Sequence, residues 1–216
     1  MKVFLALTAL LATCLAQEPH PCRSPPLLTG ELSVSTQNEK LWMFARYEYD
    51  ALGQRIRIME FGTYENKTFT FDALLHFRKG IMYEINRKNK TCKKSPLKTD
   101  FQPMSVPKDA SLLGQAILGS SSAPGQGLLV NTWMGDLPKT GGKYLMTFTE
   151  FGCIPISTAY QTGKFGWSVT SFFNNVIGIT DPGQLNPPSF CRPEEDTEFD
   201  PEEEPRDFLS LFRTAA

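Results

Sequence analysis

The sequence predicts an all-β fold, and three features of the chain support that prediction. Two candidate β-hairpins follow one another between Leu41 and Ile85. Apolar and polar side chains alternate along these segments, whereas almost no stretch has the periodicity of a helix. Eight or so strand candidates, many of them separated by turns that contain glycine or proline, indicate an antiparallel sandwich or barrel.

The first hairpin runs along residues 41–49, turns at 50–54 and returns along 55–61. Asp50 and Gly53 suit this turn, because aspartate bonds its own backbone and glycine accepts a positive φ. Ile56 and Ile58 alternate with charged residues on the returning strand, so one of its faces is apolar.

The second hairpin and the remaining strands follow the same rules. Residues 74–78 lead into a turn at Lys79 and Gly80, and residues 81–85 return. A first, edge-like strand is predicted at 27–37, and later strands at 127–134, 143–151, 154–161 and 165–173. The stretch 91–127 contains four prolines and a Gly- and Ser-rich run, so it predicts a long irregular loop.

The two ends of the chain differ from its body. Residues 1–16 have the pattern of a secretory signal peptide, with Lys2 before an apolar run that is too short to span a bilayer comfortably. Residues 17–193 are predicted to form one domain with 19 basic and 14 acidic residues. Residues 194–216 contain nine acidic residues and two arginines, and we expect this acidic tail to be disordered.

A basic cluster lies in the body after the second hairpin. Its members are Arg87, Lys88, Lys90, Lys93, Lys94 and Lys98. A solvated loop explains the cluster most simply, and attraction to anionic lipid headgroups or to the acidic tail is the functional alternative. Nucleic acid is not an expected partner, because the chain has no nucleic-acid-binding module.

Four cysteines remain after the signal peptide: Cys22, Cys92, Cys153 and Cys191. An even number in a secreted chain indicates two disulfides, for which the sequence allows three pairings. Zinc is disfavoured, because the cysteines are far apart and the chain has two histidines. Asn66 and Asn89 begin N-glycosylation sequons, which we expect in exposed loops.

The sequence contains no recognisable catalytic constellation, and we therefore predict a protein that is not an enzyme. His20 lies in a proline-rich arm. His76 shares a strand face with Arg78, so it is expected to face solvent. Neither histidine has an evident acid, base or nucleophile as partner.

Several strands carry large apolar side chains on both faces, and aromatic residues make up 12% of the chain. One sandwich core needs one face of each sheet, so the surplus predicts a ligand cavity, a subunit interface, or both. The sequence leaves open which face of each strand looks inward. The candidates for a pocket lining are large apolar residues at alternating strand positions: Phe44, Ile58, Tyr83, Met146, Phe148 and Phe173.

The chain resembles the ependymin family, specifically its ependymin-related branch in mammals and other vertebrates. The resemblance covers nearly all of the mature body, and it rests on short motifs that occur in order. These are Tyr49-Asp50 with 54–58, the hairpin segment 79–85, Phe172-Phe173 with 178–182, and 187–191.

The resemblance implies two stacked, curved antiparallel sheets, similar to a half-barrel sandwich, that enclose a hydrophobic pocket as in bacterial lipoprotein carriers. It implies a secreted or lysosomal glycoprotein that forms homodimers and binds fatty acids or gangliosides. It also implies the pairings Cys22–Cys153 and Cys92–Cys191. Calcium binding and cell–matrix contact are further implications, and no calcium ligand is assigned to a residue.

We therefore expect a secreted, extracellular glycoprotein, with a lysosomal pool, that binds a lipid or another hydrophobic molecule and requires no cofactor. An anionic membrane surface or the extracellular matrix is a further expected partner. The alternative is a cell–matrix adhesion protein whose second apolar face is a dimer or partner interface.

Overall fold

The computed structural model describes residues 18–137 and 141–191. The expected signal peptide at 1–16 and the acidic tail at 194–216 lie outside these residues. Within these described residues, eleven antiparallel strands pair in the order β6-β5-β4-β3-β2-β1-β11-β10-β9-β8-β7. Their bounds are β1 Leu27–Thr36, β2 Leu41–Asp50, β3 Arg55–Tyr64, β4 Lys67–His76, β5 Ile81–Asn86, β6 Thr91–Pro96, β7 Ser111–Gly119, β8 Gly127–Asp136, β9 Lys143–Thr149, β10 Pro155–Thr162 and β11 Gly166–Ile177.

The all-β prediction is confirmed. The two halves of the architecture, β1–β6 and β7–β11, belong to one continuous hydrogen-bonded sheet, because β1 pairs with β2 on one side and β11 on the other. Within the described ranges the sheet has edges at β6 and β7 and does not close into a barrel. Both predicted hairpins are present, with turns at 51–54 and around Gly80.

Two details of the predicted element map are wrong. β1 is a central strand rather than an edge, because its partner β11 comes from the far end of the chain. The predicted loop at 91–127 contains β6 and β7, since its prolines fall at the end of β6 or between strands. Asn66 lies in an exposed connection, as its sequon predicts. It forms a two-residue turn with Glu65 that joins β3 to β4, and both residues have positive φ, as in a type I′ turn.

The core lies mainly on one face of the sheet, which we call the inner face. Alternate residues of β1–β5 point to this face and are buried, among them Leu32, Met43 and Ile58. Part of this face is covered by the segment between β6 and β7. There Phe101 stacks on Tyr49 with ring centroids 5.8 Å apart, and the Tyr49 hydroxyl accepts a hydrogen bond from the Met104 backbone.

The opposite, outer face of β4 and β5 is covered by the C-terminal segment. Leu185, in the short 3-10 helix Pro182–Leu185, packs with Leu74, Ile81 and Tyr83. The expectation that His76 faces solvent is therefore wrong. His76 is buried beneath this segment, and its Nε2 lies 3.0 Å from the Leu185 carbonyl oxygen. Burial lowers the pKa of His76.

Two disulfides fasten the segments that cover the sheet. Cys22 is bonded to Cys153, beside an inner-face cluster that contains Trp133. Cys92 is bonded to Cys191, which holds the end of the C-terminal segment against β6. These are the pairings that the family resemblance implies. No helix in the described part of the chain is long and apolar enough to cross a membrane.

Candidate functional site

A cleft with a volume of about 720 Å³ opens where β5 separates from β4. β4 pairs with β3 along its whole length, but β5 pairs with β4 only at residues 73–76. The edge of β4 at residues 67–72 thus has no β5 partner. The end of the β5–β6 hairpin forms the facing wall.

The lining of the cleft combines apolar and polar side chains. Met59 and Phe61 of β3, Phe71 of β4 and Ile85 of β5 contribute its large apolar side chains. The remaining lining residues are polar or charged, together with Cys92: Glu60, Thr70, Asp72, Glu84, Asn86, Arg87, Lys88, Thr91, Cys92 and Lys93. The volume of the cleft is within the range of small-molecule sites.

One wall of the cleft is fixed by an ion pair between Arg57 and Asp72. Arg57 is fully buried, and its Nε and Nη2 donate to the two Asp72 carboxylate oxygens at 2.9 and 2.8 Å. Its Nη1 donates to the Gln184 carbonyl oxygen at 2.6 Å. The Asp72 charge is therefore already compensated by a buried cation.

The mouth of the cleft is basic. Five cationic residues and no acidic residue occur in the segment 86–94, which forms the end of the β5–β6 hairpin: Arg87, Lys88, Lys90, Lys93 and Lys94. Arg87 is anchored, since its guanidinium donates to Asp72 at 3.3 Å and to Gln184 Oε1 at 2.6 Å. Lys88 and Lys90 are exposed and form no salt bridge with any residue that the structure describes.

Glu60 is the unusual polar group of the lining. It lies on the inner face of β3 and is only 7% exposed, and its Oε2 has no hydrogen-bond partner among residues 18–137 and 141–191. Burial raises the pKa of Glu60 to about 8. The side chain is therefore mainly a neutral carboxylic acid at pH 7, which is compatible with an apolar cleft.

None of the six predicted pocket residues lines this cleft. The pairing register places Ile58, Met146 and Phe148 on the inner face. It places the other three, Phe44, Tyr83 and Phe173, on the outer face.

The six residues also differ in burial. Ile58, Tyr83 and Phe148 are almost fully buried in three separate clusters, whereas Phe44, Met146 and Phe173 are partly exposed. The structure does not bring the six together, and their role in binding stays a prediction.

The cleft residues gave two signals in the sequence. Glu60 continues the apolar face that Ile56 and Ile58 begin, so a carboxyl at this position interrupts an otherwise buried row. The basic cluster marks the mouth. The cleft itself has no sequence signature, because it depends on where β5 leaves β4.

A second exposed feature lies on the outer face, and we call it the aromatic stripe: Trp42, Phe44, Phe61 and Phe173. Ring centroids are 6.2 Å apart for Trp42 and Phe61, 5.9 Å for Phe44 and Phe61, and 6.4 Å for Phe44 and Phe173. Phe61 belongs to both the aromatic stripe and the cleft.

The two sequons lie at exposed hairpin ends. Asn66 is in the β3–β4 turn, and Asn89 is in the β5–β6 turn beside the cleft mouth. Among the residues described, no group of three or more His, Cys, Asp and Glu side chains could hold a metal ion.

Comparisons with known proteins agree with the resemblance seen in the sequence. The family model described as Ependymin matches residues 65–191. Ependymin-2 of Carassius auratus is 32% identical over 197 residues, which cover 91% of this chain and 90% of that protein. Ependymin of Notemigonus crysoleucas is 34% identical over 89% of this chain and 88% of that protein.

Two more distant similarities extend the comparison. Mammalian ependymin-related protein 1 of Mus musculus is 27% identical over 81% of this chain and 77% of its own length. The crystal structure of an uncharacterized conserved protein from Thermus thermophilus has a TM-score of 0.50 and 10% identity, covering 85% of this chain and 95% of that one. That likeness concerns the fold alone. The match of the family model and the identity to the fish ependymins, over nine-tenths of this chain, show that it belongs to the ependymin family.

Proposed function

We propose that this protein is a secreted, non-enzymatic carrier that binds an amphiphile with an anionic head and a hydrocarbon chain in the cleft beside β4. The observation that supports the proposal is the combination of apolar walls, a basic mouth and a neutral buried carboxyl in one cleft. Fatty acids and gangliosides share this ligand chemistry.

Each part of the cleft has a role in this proposal. The hydrocarbon chain contacts Phe61, Phe71 and Ile85, and burial of apolar surface contributes about 25 cal/mol per Å² before the costs of binding. The anionic head lies at the mouth, close to Lys88. Glu60 does not repel the chain or the head, because its carboxyl is mainly uncharged at neutral pH.

Secretion is proposed on the signal-like residues 1–16, the two disulfides and the accessible sequons. A lysosomal pool and calcium binding are carried over as proposals from the family resemblance. No residue is assigned to calcium.

Replacing Phe61 with Asp tests the proposal. The variant puts a charge against the hydrocarbon chain, so we expect a fluorescent long-chain fatty acid to bind at least about tenfold more weakly, or about 1.4 kcal/mol. Phe61 is 51% exposed, so the variant should remain folded. Fluorescence titration beside a circular dichroism melt measures both effects.

Phe151→Asp is the matched control, because Phe151 is 79% exposed and lies in the β9–β10 connection, outside the cleft. It should bind the probe as the unmodified chain does. Equal affinity of the Phe61→Asp variant and the unmodified chain would show that the fatty acid does not bind in the cleft.

The aromatic stripe supports a second candidate function, an adhesion protein that dimerises or binds matrix through its outer face. A contiguous exposed aromatic surface is typical of such interfaces. Trp42→Asp separates the candidates, since Trp42 is in the stripe but not in the cleft. A shift to monomer in sedimentation with unchanged fatty-acid affinity assigns the stripe to self-association. Loss of fatty-acid affinity instead assigns it to the ligand.

A further inference from the structure

The described structure ends at Cys191, and that residue is bonded to a residue of the cleft. Cys92 lines the cleft, and the two Cα atoms of the disulfide are 5.2 Å apart. The acidic segment 194–216 therefore follows, after two residues, one that is bonded to the cleft lining. Glu194 is three residues beyond Cys191, and three residues span at most about 10 Å.

The charge of the tail is opposite to that of the mouth. Residues 194–204 contain eight acidic residues and no basic residue. The facing segment 86–94 contains five cationic residues and no acidic residue. Counted through the Cys92–Cys191 bond, few residues separate the two complementary sequences.

We propose that the acidic tail of the same chain binds across the basic mouth of the cleft, with Lys88 and Lys90 as contacts. The tether makes this contact intramolecular, and a short flexible linker gives an effective concentration on the order of millimolar. Each exposed ion pair is weak, but several in one segment act together. The occupant is the chain's own acidic segment rather than an external anion, because the tail is always present at that concentration.

The binding of the tail does not depend on the proposed function, whereas competition between the tail and a ligand rests on it. If an anionic amphiphile enters through this mouth, the tail competes with its head group for the same lysines. The full chain then binds anionic ligands more weakly than the body alone, and salt that detaches the tail also screens the ligand.

Zero-length carbodiimide cross-linking of the full chain, followed by peptide mass spectrometry, tests the docking without any ligand. We expect amide links from Lys88 and Lys90 to carboxylates of residues 194–207. Their yield should fall at least about fivefold at 1 M salt, where the Debye length is about 3 Å. Lys108 is the internal reference, because it is an exposed lysine in a turn before β7, away from the cleft.

Charge reversal provides matched variants. Lys88→Glu with Lys90→Glu should abolish the links of the tail to the remaining mouth lysines, whereas Lys108→Glu should leave them unchanged. A tail that links equally to Lys108 and the mouth, or that links to neither, overturns the proposal. In that case the mouth is left for an external anion.

A titration separates the consequence from the docking. A chain that ends at Pro193 should bind a fluorescent long-chain fatty acid at least about fivefold more tightly than the full chain. If both chains bind the fatty acid equally and the cross-links are present, the result supports docking of the tail and contradicts its competition with the ligand. Absence of fatty-acid binding by either chain contradicts the proposed function, and the cross-links then still decide the docking.

Discussion

Glu60 is a carboxyl group on an otherwise apolar row of β3 side chains. The alternation of the strand places it on the inner face beside Ile58, where water is largely excluded. A charged carboxylate is costly in such surroundings, so the protonated form is favoured and the pKa of Glu60 rises to about 8. Glu60 should therefore contribute to the pH dependence of the stability of the fold.

Replacing Glu60 with Gln should remove that contribution. Folded Glu60 keeps its proton up to about pH 8, whereas the unfolded side chain loses it near 4.5, so stability falls as pH rises through this window. The free energy of unfolding of the variant, relative to that of the unmodified chain, should increase by about 3 kcal/mol between pH 5 and pH 8. Urea unfolding at both pH values measures it.

Glu18→Gln is the control for this measurement, because Glu18 is exposed. Its stability should follow the unmodified chain at both pH values. A constant difference between the Glu60 variant and the unmodified chain would mean that Glu60 is ionised in the fold.

At the scale of elements, the C-terminal segment determines which parts of β4 and β5 are covered. Leu185 closes an apolar cluster on the outer face, and the Gln184 carbonyl accepts from buried Arg57. Cys92–Cys191 holds the end of this segment against β6. The same bond holds Cys191, three residues before the acidic segment 194–216 in sequence, to a residue that lines the cleft.

Serine at both Cys92 and Cys191 should destabilise the fold by about 5 kcal/mol at most, because the bond closes a long loop in the unfolded chain. The two cysteines are 99 residues apart. We expect a lower urea midpoint, together with increased binding of a hydrophobic dye as the outer-face cluster opens. Non-reducing peptide mapping should find Cys22–Cys153 intact in this variant, and an unchanged midpoint would contradict the role of the bond.

At the scale of the whole molecule, the fold is one continuous sheet whose covering segments are held by two disulfides. The core of its described part is formed by residues that precede the acidic tail. The buried residues of the three clusters all lie between Cys22 and Cys191. We therefore expect the acidic tail to have an electrostatic rather than a structural role.

A chain that ends at Pro193 should melt within a few degrees of the full chain. The tail is poor in apolar residues, and exposed ion pairs contribute at most about 1 kcal/mol each. Differential scanning calorimetry of both chains measures the change. A melting temperature lowered by more than about 10 °C would show that residues beyond 193 complete the core.

The sequence by itself determined the local features of this protein. The alternation along β2 and β3, the turns after Asp50 and around Gly80, and the family resemblance all follow from residues close to one another or in order along the chain. These features depend on the period of a strand and on turn chemistry, which are properties of short segments.

Only the tertiary structure decided which faces are covered and where the cleft lies. A two-residue period defines two faces of a strand but does not say which one another segment will bury. Pairing of β1 with β11, burial of His76 under Leu185 and the separation of β5 from β4 all arise between residues distant in sequence. The six predicted pocket residues are therefore divided between two faces, because their alternation was local and the contacts that orient each strand are not.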